Sequence, residues 1–262
     1  MIDPAMHPAD YHAHPALNAS TLKMLAQHPP AKVRHMLDHR QHSSAFDVGT
    51  ATHSLILEGD DAAIRLVSHP DYRSKAARDL RDEAYAEGAI PLLDHEYSSV
   101  RCMRDAVMKH PDAGRLFNDH YPEVSFFGDL YGTECKARMD AWLPDRNTIV
   151  DLKTTVDANP ANFDRIALRY GYHQQAAHYS DLMEAEAGET PRFLFVLVEK
   201  SAPHLVSVVE LSSDFVDLGR MANQEAAETY KHAKESGEWP GFEGVTTIIP
   251  PVWAMPLEGE WP

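Results

Sequence analysis

The segment Thr133–Thr155, TECKARMDAWLPDRNTIVDLKTT, decides the fold. Two runs of strand-forming residues flank Pro144-Asp145-Arg146-Asn147, four residues of turn chemistry, so the segment is predicted to be a hairpin. Strand side chains alternate between faces. Cys135, Ala137, Met139 and Ala141 are therefore expected on one face, and Lys136, Arg138, Asp140 and Trp142 on the other. If the four turn residues are the whole loop, Leu143 faces Thr148 and Asp140 faces Asp151. Directly opposed residues bring their Cβ atoms to about 5 Å, and two carboxylates that close repel unless a cation lies between them. A divalent metal would serve, and Lys153, two residues beyond Asp151 on the same face, would place an ammonium beside it. A surface ribbon with a merely solvated polar face would contain the same residues, and a one-residue slip would separate the two acids.

Outward from the hairpin, Pro122–Leu130 reads as the strand that leads into it, with Glu123 either a further acid of the site or a charge at the strand start. After Thr155, Asn159-Pro160 is a helix start, Gly171 a break and Gly188 a stop. In the second helical half Gln175 and Tyr179 are four apart, on one face. Arg192–Glu199 is almost wholly apolar, as a strand covered on both faces should be, and Leu205–Leu211 is its partner. A last helix runs from Ser213 to about Glu235, stopped by Gly237.

Upstream, Ser20 is the expected cap of a first short helix, and a second follows around Val33–Leu37. SSAFDVGTATHSLILEG suggests a helix entered near Asp47 and closed at Gly59, carrying His53 four residues after Gly49. By itself His53 reads as a hydrogen-bonded core histidine rather than a metal ligand. A polar helix over Ser74–Glu87 contains Arg73, Lys75, Arg78 and Arg81 on or beside it, either ion-paired to its own acids or a wall facing phosphates. A longer helix covers Asp94–Lys109.

The chain has 262 residues, enough for one large domain. The division expected is a flexible arm over 1–17 and a single domain over 18–262, with a helical part to about 120, a core over 121–237 and a Pro- and aromatic-rich tail over 238–262 packed on the body or on another subunit. Helices precede a sheet that contains an inserted helix, so the class is α/β or α+β, a mixed central sheet flanked by helices. The formal charge of −16 argues against a general nucleic-acid coat but permits a locally basic channel. There is no apolar run of about 20 residues and no signal-peptide pattern, so a cytoplasmic protein without membrane contact is expected. Cys102 and Cys135 show no metal or disulfide spacing, and no phosphate loop, dinucleotide fingerprint or serine elbow is present.

In this order, Asp140, then Asp151-Leu152-Lys153, then Gln175 and Tyr179 resemble the PD-(D/E)xK nuclease superfamily, in the group with a D…DxK and QxxxY pattern. FDVGTATHSLILEG, KARMDAWLP, IVDLKTT, GYHQQAAHYSDLM and WPGF are similar to the RecE (exodeoxyribonuclease VIII) type of nuclease domain and its phage relatives, over roughly Leu17–Trp253. The resemblance implies a restriction-endonuclease-like core and one or two Mg²⁺ or Mn²⁺ ions. It implies His53, Asp140 and Asp151 as metal ligands, with the Leu152 carbonyl completing the shell, and Asp140, Asp151 and Lys153 as the catalytic set. Gln175 and Tyr179 would position DNA or brace the site. ATP-independent digestion of double-stranded DNA ends, 5′ to 3′, is the implied activity, with a ring-shaped homo-oligomer and a RecT-like single-strand annealing protein as implied partners. The superfamily's proline before the first acid is replaced by Met139. An endonuclease or single-strand nuclease of the same fold, or a non-catalytic DNA-binding module, would share most of these motifs.

Overall fold

The computed structural model describes residues 2–39 and 45–251. The N-terminal part contains β1 (Ile2–Asp3), α1 (Pro8–Ala13), β2 (Leu17–Asn18), α2 (Ala19–Gln27), α3 (Pro30–Asp38) and α4 (Ala45–His53), the last running into a π-helical turn over Ser54–Glu58. Then come β3 (Ile64–Val67), α5 (Lys75–Ala86), β4 (Ile90–Leu93), α6 (Asp94–Lys109) and α7 (Ala113–Leu116). The remainder is β5 (Tyr121–Leu130), β6 (Thr133–Leu143), β7 (Thr148–Thr155), α8 (Phe163–Tyr170), α9 (Tyr172–Ala187), β8 (Arg192–Glu199), β9 (Val206–Val209) and α10 (Ser213–Ser236).

The main sheet is mixed, in the order β1-β5-β6-β7-β8-β9, with β2 also on β6. Gly171 and Gly188, both left-handed, stop α8 and α9 where the sequence places them. One core lies between the sheet and α2, α8, α9 and α10, and holds Leu22, Phe126, Met139, Ile149, Leu182, Phe193 and Phe195. The other lies under α4, α6 and α7, with Ala51, Val100, Met103, Ala141, Val150, Leu152 and Val196. β8 alternates strictly between them, Phe193, Phe195 and Leu197 into the first and Leu194, Val196 and Val198 into the second. This is the mixed α/β sandwich expected from the sequence.

Four expectations are corrected. The arm over 1–17 is built into the sheet: Ile2 pairs with Phe126, Leu17 with Cys135, and the buried Lys136 ammonium donates to the Tyr11 and His14 carbonyls. Its lack of periodicity reflects docking by two-residue strands and backbone acceptors, which leave no pattern. The cap of α2 is Asn18, whose side chain accepts from the Thr21 amide, rather than Ser20. The tail packs only at its start, where Trp239 meets Tyr230 and Arg34 and Ala31 donates to the Pro240 carbonyl; Phe242 and Val245 beyond it are 94% and 100% exposed. That stretch meets no apolar surface among the described residues, and residues 252–262 lie outside those described.

The fourth correction concerns faces. Cys135, Ala137 and Met139 enter the first core, whereas Ala141 and Leu143 enter the second. Trp142 packs against the first. The alternation of β6 thus switches at Asp140, opposite Glu123 of β5, whose φ of 52° is left-handed. A non-glycine residue in that region breaks the pleat.

Candidate active site

The hairpin register is the one predicted from the four-residue loop: Leu143 faces Thr148, Trp142 faces Ile149 and Ala141 faces Val150. The ladder then ends. β5 occupies one edge of β6 along its length, so β7 and β2 share the other, β7 at the C-terminal end and β2 at Cys135 and Lys136. Between them the edge is open, and the site forms in this fork. Asp140 turns its carboxylate to the diverging strand and accepts the Leu152 amide at 2.7 Å. The predicted Asp140–Asp151 pair is therefore not a ladder pair, although both acids come to the same place.

Three donors converge there. One atom each of His53, Glu123 and Asp140 lie within 4.8 Å of one another, with His53 Nδ1 3.5 Å from Asp140 Oδ2. His53 is the last residue of α4, at the junction with the π-helical turn, a distortion that re-aims a side chain. Gly49, one turn earlier, brings α4 to β7: a Cβ there would lie 3.7 Å from Thr154 Oγ1. Glu123 is aimed by its left-handed backbone and held by Arg138, whose Nε donates to Oε2 at 2.6 Å.

Asp151 is 2% exposed. One of its oxygens meets the Lys153 ammonium and the other accepts from Gln175 Nε2. Tyr179 lies in the first core, edge-on to Phe126 and Phe193 at 6.1 and 5.9 Å. Gln175 and Tyr179 are both buried, so of the two roles named for them bracing from beneath is the one their placement supports. The Leu152 side chain is in the second core, but its backbone serves the site, through its amide on Asp140 and a hydrogen bond to His53.

Burial, then the neighbouring Asp151 charge, pushes the Asp140 carboxyl well above the usual carboxylate range. Burial, then Lys153, lowers His53 to about 4, so its imidazole is neutral and free to ligate near pH 7. For Lys153 burial acts against the charge, but Asp151 and Asp140 outweigh it and its pKa is raised. Crowded hard oxygen donors with a neutral imidazole, one carboxyl disfavouring its own charge, fit a divalent cation. His53, Glu123 and Asp140 could hold it; the imidazole makes Mn²⁺ as suitable as Mg²⁺.

Glu123 is the residue the sequence underweighted. The signal was available: Tyr131 and Gly132, both left-handed, form a two-residue hairpin turn that joins Leu130 to Thr133, and counting back along that ladder places Glu123 opposite Asp140. The basic segment over 73–81 supplies none of these donors and makes local contacts of its own. Arg73 pairs with Asp71 and Arg81 with Asp82, and Arg78 donates to the Arg73 carbonyl.

Residues 18–248 match the family described as a PDDEXK-like domain of unknown function (DUF3799). The chain belongs to this PD-(D/E)xK family. Its fold is shared with the crystal structure of a "putative exonuclease" from Eubacterium rectale, at 14% identity and a TM-score of 0.68, with 94% of this chain and 96% of that one covered. A phage-related exonuclease from Haemophilus somnus 129PT aligns over 87% of this chain and 99% of its own at 13% identity, with a TM-score of 0.39. No curated protein matches the chain. Asp140 and Asp151-Leu152-Lys153, which the fold brings to one place, both lie within the matched residues. Among the described residues, no helix is long and apolar enough to cross a membrane.

Proposed function

We propose that the protein is a divalent-metal-dependent, ATP-independent DNA exonuclease that digests double-stranded ends, 5′ to 3′, and leaves single-stranded tails for recombination. The metal-dependent nuclease part rests on the convergence of Asp140, Glu123 and His53 with the Asp151–Lys153 pair in the fork between β6 and β7, and the digestion of ends, 5′ to 3′, on the RecE-type resemblance. A bound Mg²⁺ or Mn²⁺ would supply Lewis-acid activation of the scissile phosphate and a water of lowered pKa. Asp140, Glu123 and His53 would hold that ion, with the Asp151–Lys153 pair beside them. Lys153 stays an ammonium and neutralises charge that develops on the phosphoryl oxygens as water adds to phosphorus and the bridging P–O bond breaks. Gln175 fixes the Asp151 carboxylate, and Tyr179 supports α9 against the sheet. A homo-oligomer that encloses DNA and an annealing partner for the tails complete this reading.

The test is digestion of linear duplex DNA labelled at the 5′ or 3′ end, beside a closed circle, with Mg²⁺, Mn²⁺ or EDTA. Metal-dependent loss of 5′ label with the circle intact is the expected result. A cut circle would replace the exonuclease with an endonuclease, and no digestion with either metal would overturn the nuclease reading.

A further inference from the structure

Beside Lys153 lies a cluster with no part in the chemistry above. Tyr170 ends α8 and is 52% exposed. Its ring stacks on Tyr172, centroids 5.8 Å apart and planes 27° from parallel. Tyr172 stacks in turn on Phe163 and Phe195 of the core at 6.1 and 5.6 Å. Tyr170 is thus the half-exposed outer ring of an aromatic stack anchored in the core.

The Tyr172 ring also carries two ammonium groups, Lys153 at 5.1 Å and Lys23 of α2 at 5.9 Å. Gly171, with φ of 66°, makes this possible, because a Cβ there would lie 2.7 Å from Lys23 Cδ. Lys153 is matched by Asp151, whereas Lys23 has no carboxylate partner among the described residues. Two half-buried like charges on one ring are unfavourable unless an anion joins them. Arg169 lies over the Tyr170 ring at 5.6 Å and adds a third cation. A half-exposed aromatic ring flanked by an unmatched ammonium and a mobile-stemmed guanidinium is a pairing that accommodates a nucleotide, base on ring and phosphate on cation, once Arg169 swings aside.

We propose that Tyr170, Tyr172 and Lys23 form a subsite for one unpaired nucleotide next to the cleaved bond, its base stacked on Tyr170 and its phosphate on Lys23. This deepens the nuclease reading and rests on it. The subsite selects an end that is frayed or single-stranded over a fully paired one, since the base must leave its partner to reach Tyr170. Stacking of this kind corresponds to about tenfold or more in affinity.

The experiment uses the full chain in EDTA, so that binding is read apart from cleavage. Two oligonucleotides are compared, one with 2-aminopurine as its unpaired terminal base and one with an abasic terminus. The expected result is quenching of 2-aminopurine on binding to the unaltered protein. Tyr170→Ala loses the quenching and about tenfold in affinity for the base-bearing end only, and Tyr170→Phe retains both. Lys23→Gln weakens both ends equally and lowers the slope of log affinity against log salt by about 1. Absence of quenching, or equal losses on both ends from Tyr170→Ala, would overturn the subsite. Quenching without metal-dependent cleavage would sink the nuclease reading and leave the subsite standing; cleavage without quenching would do the reverse.

Discussion

Asp140 Oδ2 accepts the Leu152 amide at 2.7 Å, just past the last pair of the β6–β7 ladder. A side chain thus replaces a backbone carbonyl at the point where the strands part, and fixes the acid as a structural member of the fork as well as a proposed ligand. Its raised pKa means that the ionised form is disfavoured without a cation. Asp140→Asn keeps an oxygen for Leu152 and removes the charge. It is expected to lose on the order of 10³-fold in cleavage rate with an unchanged or higher melting temperature. Near-normal turnover, measured beside a thermal melt, would remove Asp140 from the site.

Glu123 supplies the third donor. Glu123→Gln keeps the size of the side chain but weakens metal binding, and the metal concentration at half-maximal activity is expected to rise about 10–100-fold. Titration of activity against Mn²⁺ reads this. An unchanged midpoint would make Glu123 only a partner for Arg138.

Gln175 acts through Asp151. Gln175→Ala frees one oxygen of a buried carboxylate, and a fall of about 10–100-fold in kcat with little change in KM is expected. If KM rose instead, Gln175 would touch DNA in some rearranged state.

Burial, then the Lys153 charge, lowers Lys23 to about 8. The folded pKa is below the unfolded value of 10.5, so the cost of its charge to the free protein is in full force below pH 8 and is relieved as pH rises from 8 to 10.5. Lys23→Gln is therefore expected to raise the melting temperature at pH 7 by a few degrees, about 2–4 °C per kcal/mol at this size, while it weakens DNA binding. In the unaltered protein, affinity for DNA should fall as pH passes 8, and a pH titration of Lys23→Gln should lack that step.

The arm holds Lys136. Deletion of residues 1–16 removes two carbonyl acceptors of its buried ammonium, and a loss of about 3 kcal/mol is expected. Urea unfolding with and without the arm measures it; equal midpoints would mean that the arm is dispensable.

How much was legible followed from the range of each interaction. Local chemistry gave the hairpin and its register, because Pro144–Asn147 fixed the loop length. Glycines gave the ends of α8, α9 and α10. Order along the chain, read through the family resemblance, singled out Asp140, Asp151, Lys153 and His53, which the fold places near one another. What failed was non-local. β1 and β2 are two residues each and exist only because β5 and β6 offer them edges. The parallel pair of β3 and β4, 64–67 on 90–93, has the same character and was not foreseen. The switch of faces at Asp140 depends on the left-handed backbone of Glu123, a conformation glutamate seldom adopts, so strict alternation misplaces Ala141 and Trp142 beyond it.

That switch ties the site to both halves of the interior. Met139 is anchored on one side of the sheet and Ala141 on the other, with Asp140 between them. Neither layer can melt alone without dragging the acid out of position. Heat inactivation and loss of tertiary structure should therefore follow one curve, with no folded but inactive species between them, and enzymatic activity becomes a direct gauge of cooperativity across the whole molecule.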